Sequence, residues 1–184
     1  VWSDPAAGSH IEFASFQRFA QTAERAKFDF IFLAEGLRLR EQGGKIYDLD
    51  VVGRPDTFTV LAALAAVTDR IGLTGTINST FNEPYEVARQ FASLDHLSAG
   101  RSGWNVVTSA TDAEARNFNL DQQAEHAARY HRAREFMEVV TGLWDSWEDD
   151  AFLYDKESGR FFDPEKLHIL GHRGEHFQVR GPLN

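Results

Sequence analysis

The amino-acid sequence predicts an α/β fold with a parallel sheet, of the (β/α)8-barrel type, and three observations support this prediction. Apolar runs typical of strands alternate with amphipathic helical segments, which indicates a parallel sheet with helices outside it. Polar residues collect at the carboxyl ends of the apolar runs, where such barrels build their active sites. No glycine-rich fingerprint follows a strand, which disfavours a doubly wound dinucleotide-binding sheet.

The helices are predicted from apolar residues that recur with helical spacing. Asp121 is expected to cap a long helix that runs to about Trp147. The other predicted helices cover residues 13–27, 57–69 and 84–97.

Three apolar runs predict three strands, over residues 28–34, 71–80 and 103–109. The first run is nearly continuous, which is typical of a strand that is buried on both faces. The polar residues near the strand ends are Glu35, Asn78, Thr80, Asn105, Thr108 and Ser109.

The remaining segments are predicted to be loops and an arm. Residues 38–56 are charged and contain glycine, so we expect a long loop that would form a substrate wall. The segment 148–170 is acidic and aromatic with turn signals, and residues 176–182 suggest an extended arm or hairpin strand. We expect one partial barrel domain over residues 1–184, with βα units in 1–147 and an insertion and arm in 148–184.

Composition excludes several functions. The 184 residues carry a formal net charge of −9, so neither nucleic acid nor an anionic membrane is an expected partner. The chain has no cysteine, which excludes disulfides, a thiol nucleophile and a thiolate metal site. The longest apolar stretch, residues 58–67, is too short to span a bilayer, and the start lacks a signal-peptide pattern. We therefore expect a cytoplasmic protein.

The number of strands is too small for a closed barrel. A barrel of this type needs eight strands and roughly 250 residues. Only three strands are evident here, and the first helix has no strand before it. Either strands are missing at both ends or the sheet is small and open. Because the chain does not begin with Met, we expect the true amino terminus to lie upstream.

Several long, ungapped motifs carry a resemblance to a known family. They are AERAKFDFIFLAEGL (23–37), LAALAAVTDRIGLTGTINSTFNEPYEVARQFASLDHLSAGRSGWNVVTS (61–109), DAEARNFN (112–119), LWDSWEDDAFLYDKESGRFFDPEKLH (143–168) and the final VRGPLN. In these motifs the chain resembles the large component of the two-component nitrilotriacetate, EDTA and dibenzothiophene-sulfone monooxygenases.

This resemblance implies a fold and a function. Members of the family are bacterial-luciferase-like (β/α)8 barrels, and the chain would hold about strands two to four with flanking helices. They bind reduced FMN (FMNH2) from a separate NAD(P)H:flavin reductase and insert one oxygen atom of O2 into a small organic substrate. Relatives usually form homo-oligomers, so we expect one here.

The resemblance also implies the residues of the site. The family's flavin contacts match Glu35, Thr76, Asn105, His126 and Tyr130. Glu35 departs from the usual Asp of the family, and the extra methylene moves the carboxylate by about a bond length. His126 and Tyr130 are four residues apart and so share a helix face. They are expected to act catalytically, by bonding a flavin phosphate or a reactive oxygen.

Two alternatives of other classes remain open. One is a deazaflavin-dependent oxidoreductase on the same kind of barrel, and the other is a non-catalytic fragment that acts only by association. The histidines His168, His172 and His176 recur every four residues, but Gly171 and Gly174 interrupt any helix there. We therefore expect a polar hairpin in this segment and no metal site.

Overall fold

The computed structural model describes residues 2–49 and 51–184, which divide into two compact units. The first unit comprises the chain up to Asn78 together with Ser93–Gln123. The second comprises Ser79–Ala92 and Ala124–Asn184. The predicted division at residue 147 stays a prediction.

The element order confirms the predicted alternation. The helices are α1 (Phe13–Arg25), α2 (Thr57–Ala65), α3 (Pro84–Ser98), α4 (Asp112–Ala115) and α5 (His126–Trp144), with 3-10 turns at Arg116–Phe118 and Pro164–Lys166. The strands are β1 (Phe30–Leu33), β2 (Glu41–Gln42), β3 (Lys45–Ile46), β4 (Gly72–Asn78), β5 (Ser102–Val107), β6 (His172–Arg173) and β7 (Gln178–Val179). None of the helices in the described ranges has the length and apolar character needed to cross a membrane.

The first unit contains a parallel three-stranded sheet in the order β1-β4-β5, as predicted. Helix α2 approaches β4 closely at Gly75, where an added Cβ would lie 2.6 Å from Leu61 Cδ1 and 2.9 Å from Thr57 Cγ2. Leu61 and Leu73 are fully buried between helix and sheet. This contact fixes which face of the sheet the helices cover.

Strand β1 differs from the prediction that it is buried on both faces. Ile31 is buried, but Phe30 and Phe32 are 56% and 46% exposed. Successive side chains of a strand point to opposite faces, so only the Ile31 face packs against the helices. The aromatic residues that made the run look fully buried lie on the uncovered face.

The amino ends of the strands are held by the side chain of Arg101. Its Nε donates to Ser98 O at 2.6 Å, and its two terminal nitrogens donate to Ile71 O (2.8 Å), Ala65 O (3.2 Å), Thr68 O (2.9 Å) and Thr68 Oγ1 (3.0 Å). Arg101 therefore satisfies carbonyls at the end of α2 and before β4 that would otherwise lack donors.

Glu24 of α1 has the complementary role at the same end of the sheet. Its Oε1 accepts from the backbone N–H of Asp69, Arg70 and Ile71 at 2.9, 2.6 and 3.0 Å. Burial alone would raise the pKa of this carboxyl, but the three N–H donors and the charge of Arg101 lower it. The turn into β4 is thus anchored to α1.

The segment 38–56 is less irregular than predicted, although Asp50 lies outside the described residues. It contains an antiparallel hairpin of β2 and β3, with Glu41 opposite Ile46. Gly43 and Gly44 connect the strands with φ of +59° and +74°. Two consecutive positive φ angles are the signature of a tight hairpin turn that glycine favours, and the Gly-Gly pair was the missed signal.

The prediction that Asp121 caps the long helix is wrong. Helix α5 begins at His126 after Glu125, which makes no capping hydrogen bond through its side chain. Thr111 and Glu114 instead form a capping box for the short helix α4. The chain then turns through Asn119 in the left-handed region, at φ +63°. Residues 112–119 therefore hold a separate helical turn, and α5 starts later than predicted.

The second unit is built around α5. Phe136, Val139, Val140 and Leu143 on this helix are fully buried. Strands β6 and β7 form an antiparallel hairpin, which confirms the predicted hairpin near the end of the chain. In the acidic, aromatic segment, Trp147 stacks on Phe152 with ring centroids 4.7 Å apart.

Candidate functional site

Thr76 and Asn105 lie side by side on the sheet of the first unit. They are direct partners in the register of β4 and β5, and Asn105 Nδ2 donates to Thr76 Oγ1 at 3.1 Å. Thr76 is buried and Asn105 is half-buried. The sequence placed a polar residue in each of these two apolar strands, and the structure brings the two residues together.

Thr76 and Asn105 keep hydrogen-bonding capacity for a ligand. The Thr76 oxygen accepts from Asn105, so its own proton remains available as a donor. The amide oxygen of Asn105 remains available as an acceptor. Among the described residues, neither Thr76 nor Asn105 makes a side-chain hydrogen bond other than the one between them. The pair can therefore present one donor and one acceptor.

The face that carries this pair is polar in the middle and aromatic at one edge. The pleat alternation puts Thr74 and Asn78 on the same face as Thr76, opposite the Gly75 face that α2 covers. The register places Phe30 beside Gly72 and Phe32 beside Thr74, so both rings share that face. Thr74 was not predicted as a residue of this face, although the alternation of Thr74, Thr76 and Asn78 is the period-two pattern that identifies it.

Glu35 follows β1 directly and is half-buried. Its Oε1 accepts from the N–H of Thr57, the first residue of α2, at 3.4 Å. Burial raises the pKa of Glu35, and the charge of Asp56 raises it further against the opposing Thr57 hydrogen bond. Glu35 therefore favours its neutral form more than an ordinary surface glutamate does.

Glu35 also lines a pocket of about 1120 Å³ in the first unit. Phe32, Leu33 and Val60 contribute apolar walls to this pocket, and Arg38 is among its polar residues. Arg38 Nε donates to Thr111 Oγ1 at 3.1 Å. The loop after β1 thus forms part of the pocket wall, and the prediction that residues 38–56 contact a substrate stays a prediction.

Glu114 joins the loops that follow β1 and β5. Its Oε1 accepts from Leu37 N at 3.3 Å, and its Oε2 accepts from Ala110 N at 3.3 Å and Thr111 Oγ1 at 3.0 Å. Asn117 Nδ2 adds a 2.7 Å hydrogen bond to Leu37 O. Glu114 was not predicted from the sequence, although Thr111-x-x-Glu114 is the capping-box pattern that reveals it.

His126 and Tyr130 lie in the first two turns of α5, in the second unit. Their ring centroids are 4.5 Å apart, with an angle of 31° between the planes. This contact confirms that the two residues share a helix face. Both side chains are exposed, Tyr130 by 55%, and are therefore accessible to a ligand. Their predicted catalytic role stays a prediction.

Glu135, also on α5, holds the β6–β7 hairpin. Its carboxylate accepts from His172 Nε2 at 3.0 Å, from the His176 N–H at 2.9 Å and from the Phe177 N–H at 2.8 Å. Burial alone would raise the pKa of Glu135, but these donors and the charge of His176 lower it to about 2. An added Cβ at Gly174 would collide with the Glu135 carboxylate, so any other residue there would displace the Glu135 side chain from its hydrogen bonds.

The three histidines with four-residue spacing have three different partners. His172 pairs with Glu135, and His168 Nε2 lies 2.8 Å from Glu148 Oε1. His176 Nε2 lies 3.0 Å from His131 Nδ1. They do not form one cluster, in agreement with the expected polar hairpin.

The sheet face suits a flavin. An isoalloxazine ring has polar edges that a hydroxyl and an amide can match, and a flat apolar surface that aromatic side chains can cover. Thr76 and Asn105 supply the first, and Phe30 and Phe32 supply the second on the same face. The assignment of these residues to a flavin stays a prediction.

Comparison with known proteins identifies this parallel βα sheet as part of a (β/α)8 barrel of the luciferase-like kind. Solved structures support the assignment. Riboflavin lyase, solved with modified FMN and riboflavin, superposes with a TM-score of 0.90 at 38% identity over 100% of this chain and 42% of its own. The long-chain alkane monooxygenase superposes with a TM-score of 0.86 at 35% identity, over 94% of this chain and 41% of that protein.

The chain belongs to the family described as luciferase-like monooxygenase, whose sequence model matches residues 1–183. It is 52% identical over 185 residues to N-acetyl-S-(2-succino)cysteine monooxygenase of Bacillus subtilis (strain 168), covering 100% of this chain and 41% of that protein. It is 50% identical over 193 residues to nitrilotriacetate monooxygenase component A of Aminobacter aminovorans, covering 100% and 43%. The chain thus spans about two fifths of these relatives, and the family indicated by the sequence motifs is confirmed.

Proposed function

We propose that this chain is the flavin-binding portion of an FMNH2-dependent monooxygenase that inserts one oxygen atom of O2 into a small organic substrate. Similarity to the luciferase-like monooxygenases supports the reaction class. Similarity to a protein named as component A supports a second component, which we propose is an NAD(P)H:flavin reductase that delivers the reduced cofactor.

The observation that carries the proposal is the hydrogen-bonded pair of Thr76 and Asn105. Polar groups inside apolar strands cost roughly 1–3 kcal/mol when they lack partners. The Thr76–Asn105 hydrogen bond satisfies part of this demand and leaves one donor and one acceptor on the sheet face opposite the one that α2 covers. A ligand with matching groups on a flat ring, as a flavin has, satisfies the rest.

In this proposal the protein positions the cofactor and controls its surroundings. Reduced FMN supplies the reaction with O2, and the protein supplies orientation, polarity and exclusion of water. Thr76 donates to a ring acceptor, and Asn105 accepts from a ring N–H. Phe30 and Phe32 cover apolar ring surface and keep water away from it.

Glu35 has a further place in the proposal. Because its pKa is raised, it can present an O–H donor to the flavin over a wider pH range than an ordinary glutamate. The loop 38–56, with Arg38 in the pocket wall, is proposed to contact the organic substrate. His126 and Tyr130 are proposed as contacts to the flavin phosphate or the reacting oxygen, from the family resemblance.

An anaerobic titration with photoreduced FMN, read by flavin absorbance and fluorescence, tests the role of the pair. Thr76→Val is expected to weaken FMNH2 binding about 2- to 13-fold, because one hydrogen bond contributes about 0.5–1.5 kcal/mol. Thr76→Ser keeps the hydroxyl and is expected to retain near-normal affinity. Thr22→Val, at an exposed hydroxyl on α1, serves as the matched control.

Equal affinity of Thr76→Val and the control for FMNH2 would exclude the pair from the flavin site. Unchanged affinity and turnover in both His126→Ala and Tyr130→Ala would remove those two residues from the proposal. A protein that binds a deazaflavin in preference to FMNH2, and consumes no O2, would be the oxidoreductase alternative. A protein that binds neither would be a non-catalytic fragment.

A further inference from the structure

Three side chains with metal-binding groups meet on the surface of the second unit. His131 Nδ1 lies 3.0 Å from His176 Nε2 and 3.9 Å from Glu175 Oε2. The three ligand atoms all lie within 4.8 Å of one another. None of the proposed flavin contacts belongs to this group, which we call the His131 cluster.

The spacing of these atoms matches a bound divalent ion. Zinc binds histidine nitrogen at about 2.0–2.1 Å, so two nitrogens of a tetrahedral site lie about 3.3 Å apart. The His131–His176 separation of 3.0 Å is close to this value, and Glu175 Oε2 lies 3.9 Å from His131 Nδ1. Two imidazoles and a carboxylate are a set that zinc accepts, with water as fourth ligand.

The cluster is accessible and its ligands come from two anchored elements. The side chains of His131 and Glu175 are 57% and 71% exposed, so an ion can reach them without a rearrangement. His131 lies on α5, within its regular helical span. His176 lies in the turn of the β6–β7 hairpin, where its N–H donates to Glu135 Oε2 at 2.9 Å.

Glu135 connects these two elements independently of any ion. It lies four residues after His131 on the same helix and binds the hairpin at His172, His176 and Phe177. Glu135 therefore holds the β6–β7 hairpin to α5, and His176 faces His131. Ligands that are positioned before the ion arrives lose less conformational entropy on binding.

From this geometry we propose that His131, Glu175 and His176 bind one divalent transition-metal ion of the zinc class and thereby clamp the β6–β7 hairpin to α5. In the metal-free protein a proton lies between the two facing ring nitrogens, since one must donate to the other. Both facing nitrogens must present a lone pair to the ion, so the donor ring changes to its other neutral tautomer and its proton moves to its second ring nitrogen. No change of oxidation state accompanies binding.

Titration of the protein with Zn²⁺ alone, by isothermal calorimetry, tests the proposal, and Co²⁺ absorption in the visible range reports the ligand geometry. One ion per chain is expected, with a tetrahedral Co²⁺ spectrum. His131→Ala and His176→Ala are each expected to weaken binding more than about tenfold, the lower end of what the loss of an outer-shell partner costs. Glu175→Gln is expected to weaken it less than either.

His168→Ala is the matched control, because His168 is also an exposed histidine paired with a carboxylate in the second unit. It is expected to leave zinc affinity unchanged. Zinc is also expected to raise the Tm of the unmodified protein and of His168→Ala, but not of His131→Gln, which keeps a side chain of similar size. No 1:1 binding, or equal affinity in His131→Ala and His168→Ala, overturns the proposal.

Discussion

The side chains of Arg101 and Glu24, at the amino ends of the first-unit sheet, bind mainly backbone groups, whereas Thr76 and Asn105, in its carboxyl half, keep one donor and one acceptor for a ligand. At the amino ends, Arg101 makes five donor contacts and Glu24 accepts from three N–H groups. In the carboxyl half, Thr76 and Asn105 share one bond. The difference separates groups that stabilise the fold from groups available to a ligand, as expected for this barrel class.

Two glutamates show the same contrast in their acidity. The pKa of Glu24 is lowered, because three N–H donors outweigh the effect of its burial. The pKa of Glu35 is raised, because its burial is opposed by a single backbone donor and Asp56 adds a like charge. One carboxylate is held charged at the amino ends, and the other is biased towards its neutral form beyond β1.

The largest effect is expected from Arg101→Met, which removes the five hydrogen bonds that the guanidinium donates at the amino ends of the strands. It should lower the free energy of unfolding by about 2–4 kcal/mol, because buried carbonyls lose charged donors. Urea unfolding followed by circular dichroism measures this loss. Arg70→Met, at an exposed arginine beside the same turn, should change stability by less than about 0.5 kcal/mol. Similar losses in the two variants would contradict the role given to Arg101.

Glu24→Gln should have a smaller effect with a pH signature. A lowered folded-state pKa means that ionised Glu24 stabilises the protein above pH 4.5, and this contribution is lost as the pH falls through the folded-state value. The variant should lose about 1 kcal/mol at pH 7, after allowing for solvent near the carboxylate, and nothing at the acid end. A Tm difference from the unmodified protein that stays constant from pH 7 to pH 3 would disprove this account.

Glu35→Gln should have the smallest effect, with the opposite sign. A raised folded-state pKa means that ionisation costs folding free energy as the pH rises above 4.5, so removing the charge should stabilise the protein. The gain at pH 7 should be below about 1 kcal/mol because Glu35 is only half-buried, and it should vanish below pH 4.5. Tm measured against pH tests this, and a loss of stability at pH 7 would refute it.

The fold was predictable from the sequence wherever periodicity determined it. Alternating apolar runs identified β1, β4 and β5 and their parallel arrangement. Burial was harder to predict, because a run of letters does not show which face of a strand lacks a cover. Phe30 and Phe32 therefore counted as core residues, although both are about half exposed. The start of α5 was predicted too early, because Asp121 is of a residue type that often caps helices but does not cap α5.

The site was predictable only where two residues come from paired strands. Thr76 and Asn105 followed from polarity within apolar strands together with the family motifs, and register explains why they touch. Glu114 and the His131 cluster depend on loops and on residues 45 positions apart, which no local pattern connects. No local pattern therefore linked His131, Glu175 and His176, and only the tertiary contacts bring these three residues together.

The absence of a side chain at Gly75 has a consequence for a different residue. Because no Cβ stands there, the first turn of α2 lies against β4, and the same turn presents the Thr57 N–H to Glu35. A methyl group added at position 75 would push Thr57 outward. The protonation of the Glu35 carboxyl, in the loop after β1, would then change. Substitutions at positions 75 and 35 should therefore be epistatic, although neither residue touches the other through its own atoms.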